Sequence, residues 1–221
     1  MEIRAKGISK EFIRVTASSN VFVAVDLCDI DLKPGTITVL KGRSGGGKTT
    51  FMNILAGLLE PTKGQVLYDD KDIFSLGDNE RSAFRNRYIG YVPQGKSALS
   101  SLTVRENILL PCMLFNELSD DKAEELMKKF SIESIRDAYP DELSGGELRR
   151  MAIARAVIRD PEVIFADEPT GDLDDENTRI VFEMLRGLAN NGKTVFVVTH
   201  EDISEKYADK IYLMKEGRLE G

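Results

Sequence analysis

The chain is short of basic charge, cysteine, histidine and long apolar runs, and each shortage excludes something. Its 30 lysines and arginines stand against 37 aspartates and glutamates, a formal net charge of -7. That argues against nucleic acid as the main ligand, because backbone phosphates are held by clustered basic side chains. No window approaches the about 18 uninterrupted apolar residues of a bilayer span. The N-terminus, MEIRAKGISKEF, lacks the apolar stretch of a secretory signal. Cys28 and Cys112 are the only cysteines. They form no metal-type pair and suit a reducing cytosol as small apolar fillers. The expectation is a soluble cytosolic protein, with a membrane-embedded partner left open.

What is present is ordinary globular composition, 42% apolar and 30% charged over 221 residues. That is enough for one large domain, or for a core with one inserted subdomain. The runs TITVL (36–40), VIFA (163–166) and TVFVVT (194–199) are short, continuous and β-branched. Each precedes a polar or glycine-rich loop and then a helical pattern, which predicts a parallel sheet buried on both faces and wrapped by helices. The N-terminal stretch and GQVLYDDKDI predict a small antiparallel sheet beside that core. Residues 95–156 read as an inserted helical subdomain. Within them LSDDKAEELMKKF carries acids early and lysines late, as the helix dipole favours. The expected organisation is one domain over 1–221, with the core and β subdomain in 1–94 and 157–221. The last segment, IYLMKEGRLEG, reads as a hairpin, with no C-terminal regulatory domain expected after it.

GRSGGGKTT, Gly42 to Thr50, fits the pattern G-x-x-x-x-G-K-[ST] between a strand and a helix. Its glycines let backbone N–H groups turn inward around phosphates, and the helix N-terminus adds its dipole. Lys48 is expected on the β- and γ-phosphates and the Thr49 hydroxyl on Mg²⁺. In VIFADEPT, Asp167 and Glu168 emerge at the C-terminal end of a strand, where open α/β sheets place ligands. Asp167 suits the Mg²⁺ shell through water, and Glu168 the attacking water. Alone, two adjacent carboxylates read as solvated loop charges; beside the phosphate loop the catalytic reading takes precedence. His200, the only histidine, ends TVFVVT at the same sheet edge, suited to a contact with the γ-phosphate or that water. Gln94 ends the strand-like YIGYVP and is a candidate γ-phosphate sensor through Mg²⁺ or water.

LSGGE, Leu143 to Glu147, reads locally as a capping box, with Ser144 and Glu147 bonded reciprocally. The box does not explain Gly145 and Gly146, which weaken a helix unless its backbone must approach something closely. With the cap they leave N–H groups suited to a terminal phosphate, although the chain already has one complete phosphate loop.

The ordered set GRSGGGKT, Gln94, LSGGE, VIFADE, GDLD and His200 resembles, over the whole chain, the nucleotide-binding subunit of an ABC (ATP-binding cassette) transporter. The resemblance implies the fold of a P-loop NTPase, a RecA-like α/β core with an N-terminal antiparallel β subdomain and an inserted helical subdomain. It also implies ATP and Mg²⁺ as cofactors and a head-to-tail homodimer with two ATP sandwiched, each LSGG closing over the nucleotide of the other copy. Gly42, Ser44, Gly45, Gly46, Gly47, Lys48, Thr49 and Thr50 would bind phosphate and Mg²⁺. Asp167 would serve the metal, Glu168 act as catalytic base, His200 as switch, and Gln94 as metal contact and link to a membrane permease. Ser144, Gly145, Gly146 and Glu147 would meet the opposite nucleotide, with Asp174 at the dimer seam. Phe12, from its position before the phosphate loop, would stack on adenine, with Phe22 the competing choice. PTKGQV, SLTVRENILLP and FADEPTGDLD are most similar to the subfamily of lipoprotein release, macrolide or peptide export and antimicrobial-peptide resistance. Its members sit at the cytoplasmic face of the membrane on separate permease subunits. Three departures stand out: Glu147 where glutamine is commonest, GDLD in place of SALD, and a polar Gly95-Lys96-Ser97 after Gln94. A cell-division-type signalling ATPase that moves no substrate would carry the same motifs. A soluble member in DNA repair or translation fits the acidic charge poorly, and a small-molecule kinase has no use for LSGGE.

Overall fold

The structure, a computed structural model, describes residues 1–13, 21–115, 117 and 120–220. Positions 14–20 of the β-rich N-terminal stretch, 118–119 at the head of the expected helix and 221 of the closing segment lie outside the described residues.

Two long strands come first, β1 (Ile3–Ile13) and β2 (Val21–Leu32), paired antiparallel with Phe12 opposite Phe22. β3 (Ile37–Gly42) then feeds α1 (Lys48–Leu55). β4 (Lys63–Tyr68), β5 (Lys71–Asp72), α2 (Asp78–Tyr88) and β6 (Ile89–Val92) follow. The next stretch holds α3 (Val104–Met113), α4 (Asp120–Lys129) and α5 (Gly145–Val157). β7 (Val163–Asp167), α6 (Asp175–Asn190), β8 (Thr194–Val198), β9 (Lys210–Lys215) and β10 (Arg218–Glu220) complete the order.

Among the described residues these strands make two sheets, one in the order β2-β1-β4-β5 and one in the order β10-β9-β3-β8-β7-β6. The first is antiparallel throughout. In the second, β9, β3, β8, β7 and β6 run parallel and β10 returns antiparallel. Every residue of β7 and β8 is buried, the reason these runs are continuous rather than alternating. Their side chains still alternate between faces. Phe165 and Phe196 join Phe51 and Met52 of α1 in one core, with ring centres 6.0 Å apart. Ile164, Ala166, Val195 and Val197 join Phe182 and Leu185 of α6 in the other. Each fully buried aromatic or branched chain of this kind contributes about 1.5–3 kcal/mol. This is the doubly covered α/β sheet with an antiparallel sheet beside it that the sequence predicts.

The helices α3, α4 and α5 bury Leu109, Met127 and Ile153 in the second of those cores. Cys112 is buried there too, Cys28 lies in the core that holds Phe165, and neither is bonded to the other. Burial raises both thiols above their usual range, consistent with filler rather than nucleophile. The entry into α3 hangs on Asn107, which is fully buried. Its Oδ1 accepts from the Leu99 N–H at 2.9 Å, and its Nδ2 donates to the carbonyls of Leu99, Leu102 and Thr103 at 2.9–3.0 Å. Asn107→Ala strands several of those backbone groups, at about 1–3 kcal/mol for each one left unpaired. Thermal unfolding followed by circular dichroism is expected to show a midpoint lower by about 5–10 °C, at about 2–4 °C per kcal/mol for a chain of this size.

Candidate active site

At the end of β3 the chain turns through residues 43–47 into α1. Gly47 caps that helix at φ 98°, and a side chain there would collide with the Ala24 carbonyl, so the turn requires glycine. Lys48, 7% exposed, folds back to donate from Nζ to the carbonyls of Gly42 (2.8 Å) and Arg43 (3.1 Å). A buried ammonium held by two carbonyls is an amine poised for an anion.

The Thr49 hydroxyl donates to Oδ2 of Asp167 at 2.9 Å and so ties the loop to the end of β7. Asp167 is 2% exposed and its Oδ1 has no hydrogen-bond partner. Burial pushes its carboxyl above the usual carboxylate range and the charge of Glu168 adds to that, while the Thr49 bond opposes it. An orphaned carboxylate oxygen beside a threonine hydroxyl fits a hard divalent cation. Among the described residues no three His, Cys, Asp or Glu side chains gather to enclose a metal. A cation held by Thr49 and Asp167 would take its other ligands from neutral groups such as Gln94, water and phosphate.

Glu168 adopts φ 43°, the left-handed region that costs a non-glycine residue about 1–3 kcal/mol. Its N–H donates to the Val198 carbonyl at 2.8 Å, which pins the turn to β8. Its side chain is 12% exposed and contacts Nδ1 of His200 through Oε2 at 3.0 Å. His200 itself is largely exposed at the mouth of the site.

These groups line a cleft of about 720 Å³. Of the expected residues, Gly42, Ser44, Gly45, Gly47, Lys48, Thr49, Thr50, Gln94, Glu168 and His200 line it. Gly46 belongs to the same loop, its N–H bonded to the Arg43 carbonyl. Asp167 is bonded to the lining Thr49. Phe22 lines the cleft; Phe12, its cross-strand partner, is not among the lining residues and carries Lys10 Nζ over its ring at 5.4 Å.

Ser144, Gly145, Gly146, Glu147 and Asp174 are not among the residues that line the cleft. Ser144 caps α5: its Oγ accepts from the Glu147 N–H at 3.3 Å, and its N–H and hydroxyl donate to Glu147 Oε2 at 2.8 and 2.6 Å. The Ser144 hydroxyl, then the Ser144 N–H, hold the Glu147 carboxyl below the usual range. Gly146 has a packing reason of its own, because a side chain there would strike the Asn177 amide of α6. Asp174 caps α6 by accepting from the Asn177 N–H at 2.7 Å, and the Asn177 bonds keep its carboxyl low.

The sequence reading passed over Arg43, Arg149 and Asp172, all of which line the cleft. For Arg149 a signal was available. It lies four residues before Ile153 and eight before Val157 on the buried stripe of α5, where a charge needs a partner.

The model of the ABC transporter family matches residues 25–171. The lipoprotein-releasing system ATP-binding protein LolD of Syntrophotalea carbinolica is 39% identical over 223 residues, covering 99% of this chain and 97% of that one. An uncharacterized ABC transporter ATP-binding protein of Methanocaldococcus jannaschii is 37% identical over 220 residues, covering 98% and 97%. Among solved structures, a dimeric ATP-binding cassette in a post-hydrolysis state bound to ADP and Pi superposes with a TM-score of 0.90. It is 31% identical and covers 99% of this chain and 97% of that one. With the cleft geometry, the family match and relatives aligned nearly end to end, the chain belongs to the ABC transporter family.

Proposed function

We propose that the chain is the ATP-binding and ATP-hydrolysing subunit of an ABC transporter, working as a head-to-tail pair of copies beneath a separate membrane permease. The observation that carries the reading is the join between Thr49 and Asp167, with its orphaned oxygen, beside the buried amine of Lys48. One phosphate-binding amine and one cation-ready carboxylate meet at a single sheet edge.

Lys48 exchanges its two carbonyls for the β- and γ-phosphates, and the N–H groups of residues 43–49 close around them. Mg²⁺, when bound, neutralises charge on the terminal phosphates; Thr49 would hold it directly, with Asp167 through water and Gln94 beside it. Glu168 takes the proton of the water that attacks the γ-phosphorus while the bond to the bridging oxygen breaks, giving ADP and phosphate. His200 holds Glu168 Oε2 through Nδ1, which leaves its other ring nitrogen for the γ-phosphate. Adenine falls to the Phe12–Phe22 pair, and the place of Phe22 in the cleft supports that assignment.

Residues 95–156 act as a subdomain that carries LSGGE to the nucleotide of the second copy, with Asp174 at the seam. The neighbour whose dimer holds ADP and Pi supports pairing of this kind. The permease meets the region after Gln94 and holds the subunit at the cytoplasmic face of the membrane. Among the described residues no helix is long and apolar enough to cross a bilayer itself. The LolD relative supports a place in the subfamily that extracts or exports lipoproteins, peptides or antibiotics.

Glu168→Gln is expected to lower kcat by about 10²–10⁴-fold with the KM for ATP nearly unchanged, as loss of a general base does. Light scattering after size exclusion should show its mass doubling with Mg-ATP. A mass that stays that of one copy with ATP bound overturns the two-copy reading. Lys48→Ala should lose ATP binding in a fluorescent-nucleotide titration, and wild-type turnover by that variant would overturn the ATPase reading itself.

Asp167 gives a prediction of opposite sign for stability. Its folded carboxyl is raised, so the ionised form is disfavoured by folding, and this group alone lowers stability as pH climbs through the carboxylate range. Asp167→Asn should therefore raise the ligand-free unfolding midpoint by a few degrees at pH 7, with the gain fading as pH falls below that range. ATP turnover should be lost in the same variant, and a scan of midpoint against pH reads the sign.

A further inference from the structure

We propose that Arg149 and Arg155 are positioning residues. Together they clamp both ends of the segment that carries Gln94 onto α5, so the place of Gln94 in the cleft follows the helix that LSGGE heads. The inference rests on the reading of the cleft as an ATP site and adds the route by which that site answers to LSGGE.

The clamp has two jaws on one helix. Arg149 donates from Nη1 to the Pro93 carbonyl at 3.1 Å, the carbonyl immediately before Gln94. Arg155, six residues further along α5, grips the other end. Its Nη1 donates to the Ser97 carbonyl at 2.9 Å and its Nη2 to the Ser97 hydroxyl at 2.7 Å. Arg155 Nη1 also reaches Asn107 Oδ1 at 3.4 Å, the side chain that already fixes the approach to α3. Between the jaws Gln94, Gly95 and Lys96 are exposed and belong to no helix or strand. Gln94 can thus take a small range of positions, and α5 sets the range.

Packing alone does not ask for arginine here. Arg149 is 7% exposed and burial lowers both guanidiniums below their ordinary range, so each is held at a cost that an apolar side chain of similar volume would not incur. What arginine supplies is a fork of donors rigid enough to hold a carbonyl at a fixed distance. Arg149 also borders the cleft, as do Glu168 and Asp172, and the Asp172 charge favours its charged state. One side chain therefore bonds the loop, lines the cleft and feels the charge of Asp172 on the segment that leads to Asp174. A rigid helix fixed to a short loop at both ends is a physical linkage with two ends, LSGGE and Gln94.

The chain has no tryptophan, so a single one introduced at the exposed position 96 reports on the clamped segment alone. In a Glu168→Gln, Lys96→Trp parent, Mg-ATP is expected to shift the indole emission while light scattering shows the mass doubling. Adding Arg149→Gln should leave the doubling in place and cut the emission change at least about fivefold. In the chain with Glu168 restored, Arg149→Gln should lower kcat about tenfold with the KM for ATP within about twofold, a loss confined to the bound state. Ser97→Ala, which removes one acceptor of Arg155 and leaves both arginines in place, should reduce the emission change about twofold. It serves as the second readout should Arg149→Gln fail to fold. An emission change and kcat untouched by Arg149→Gln or Ser97→Ala overturn the proposal. So does a parent whose mass doubles while its indole stays silent. A parent whose mass does not double refutes the two-copy reading, and the clamp as a route falls with it.

Discussion

Every residue of strands β7 and β8 is buried, and a strand of that kind can hold a charged residue only where it leaves the sheet. Asp167 is the last residue of β7, His200 follows β8, Gly42 ends β3 and Gln94 comes just after β6. The parallel registers bring those ends level: Val92 lies opposite Ala166, Asp167 opposite Val198, and Val198 opposite Leu40. The site is thus a by-product of two-sided burial. Helices fill both faces, so the polar groups collect at one edge, where strand ends can be joined by hydrogen bonds such as that from Thr49 to Asp167.

That edge is held in a state its parts do not prefer. Asp167 keeps an unpartnered oxygen out of water, Lys48 holds a buried amine on two backbone carbonyls, and Glu168 sits at a positive φ. Terms of this kind run to about 1–3 kcal/mol apiece, against a net stability of about 5–15 kcal/mol for a folded domain. The molecule tolerates them because the sheet core is deep, with Phe51, Phe165, Phe182 and Phe196 fully buried around it. Binding that supplied a cation and an anion together would remove two of these penalties at once, before any contact with a base or sugar.

The glycine-rich loop was legible in the sequence because its pattern is local: a strand, a five-residue turn and a helix start, contiguous in the chain. VIFADE was legible for the same reason, since a strand and its exit are one segment. Ser144 and Glu147 form the box that their spacing predicts. What local reading does not reach is any role set by a meeting of distant segments. Arg149 matters through a carbonyl 56 residues away, and nothing near it in the chain names Pro93. Phe12 and Phe22 lie across from each other in one antiparallel pair, and of the two only Phe22 lines the cleft, a difference that no local pattern carries. The glycine pair of LSGGE was read as backbone turned outward for an anion. Gly146 has at least one inward reason, the approach of α6.

The contact between Gly146 and Asn177 also bears on how such a chain can drift. The Asn177 amide takes the volume a methyl group at position 146 would need, and it accepts from Arg150 at 3.1 Å while donating to the cap of α6 at 3.0 Å. A side chain can enter at 146 only if the Asn177 amide turns away or is replaced, and either change loosens Arg150 and the start of α6 together. The two positions are coupled in sequence space, because a change at either one gives up the bonds of the Asn177 amide. Glycine at 146 is thus favoured by a neighbour on another helix, apart from any contact with a ligand.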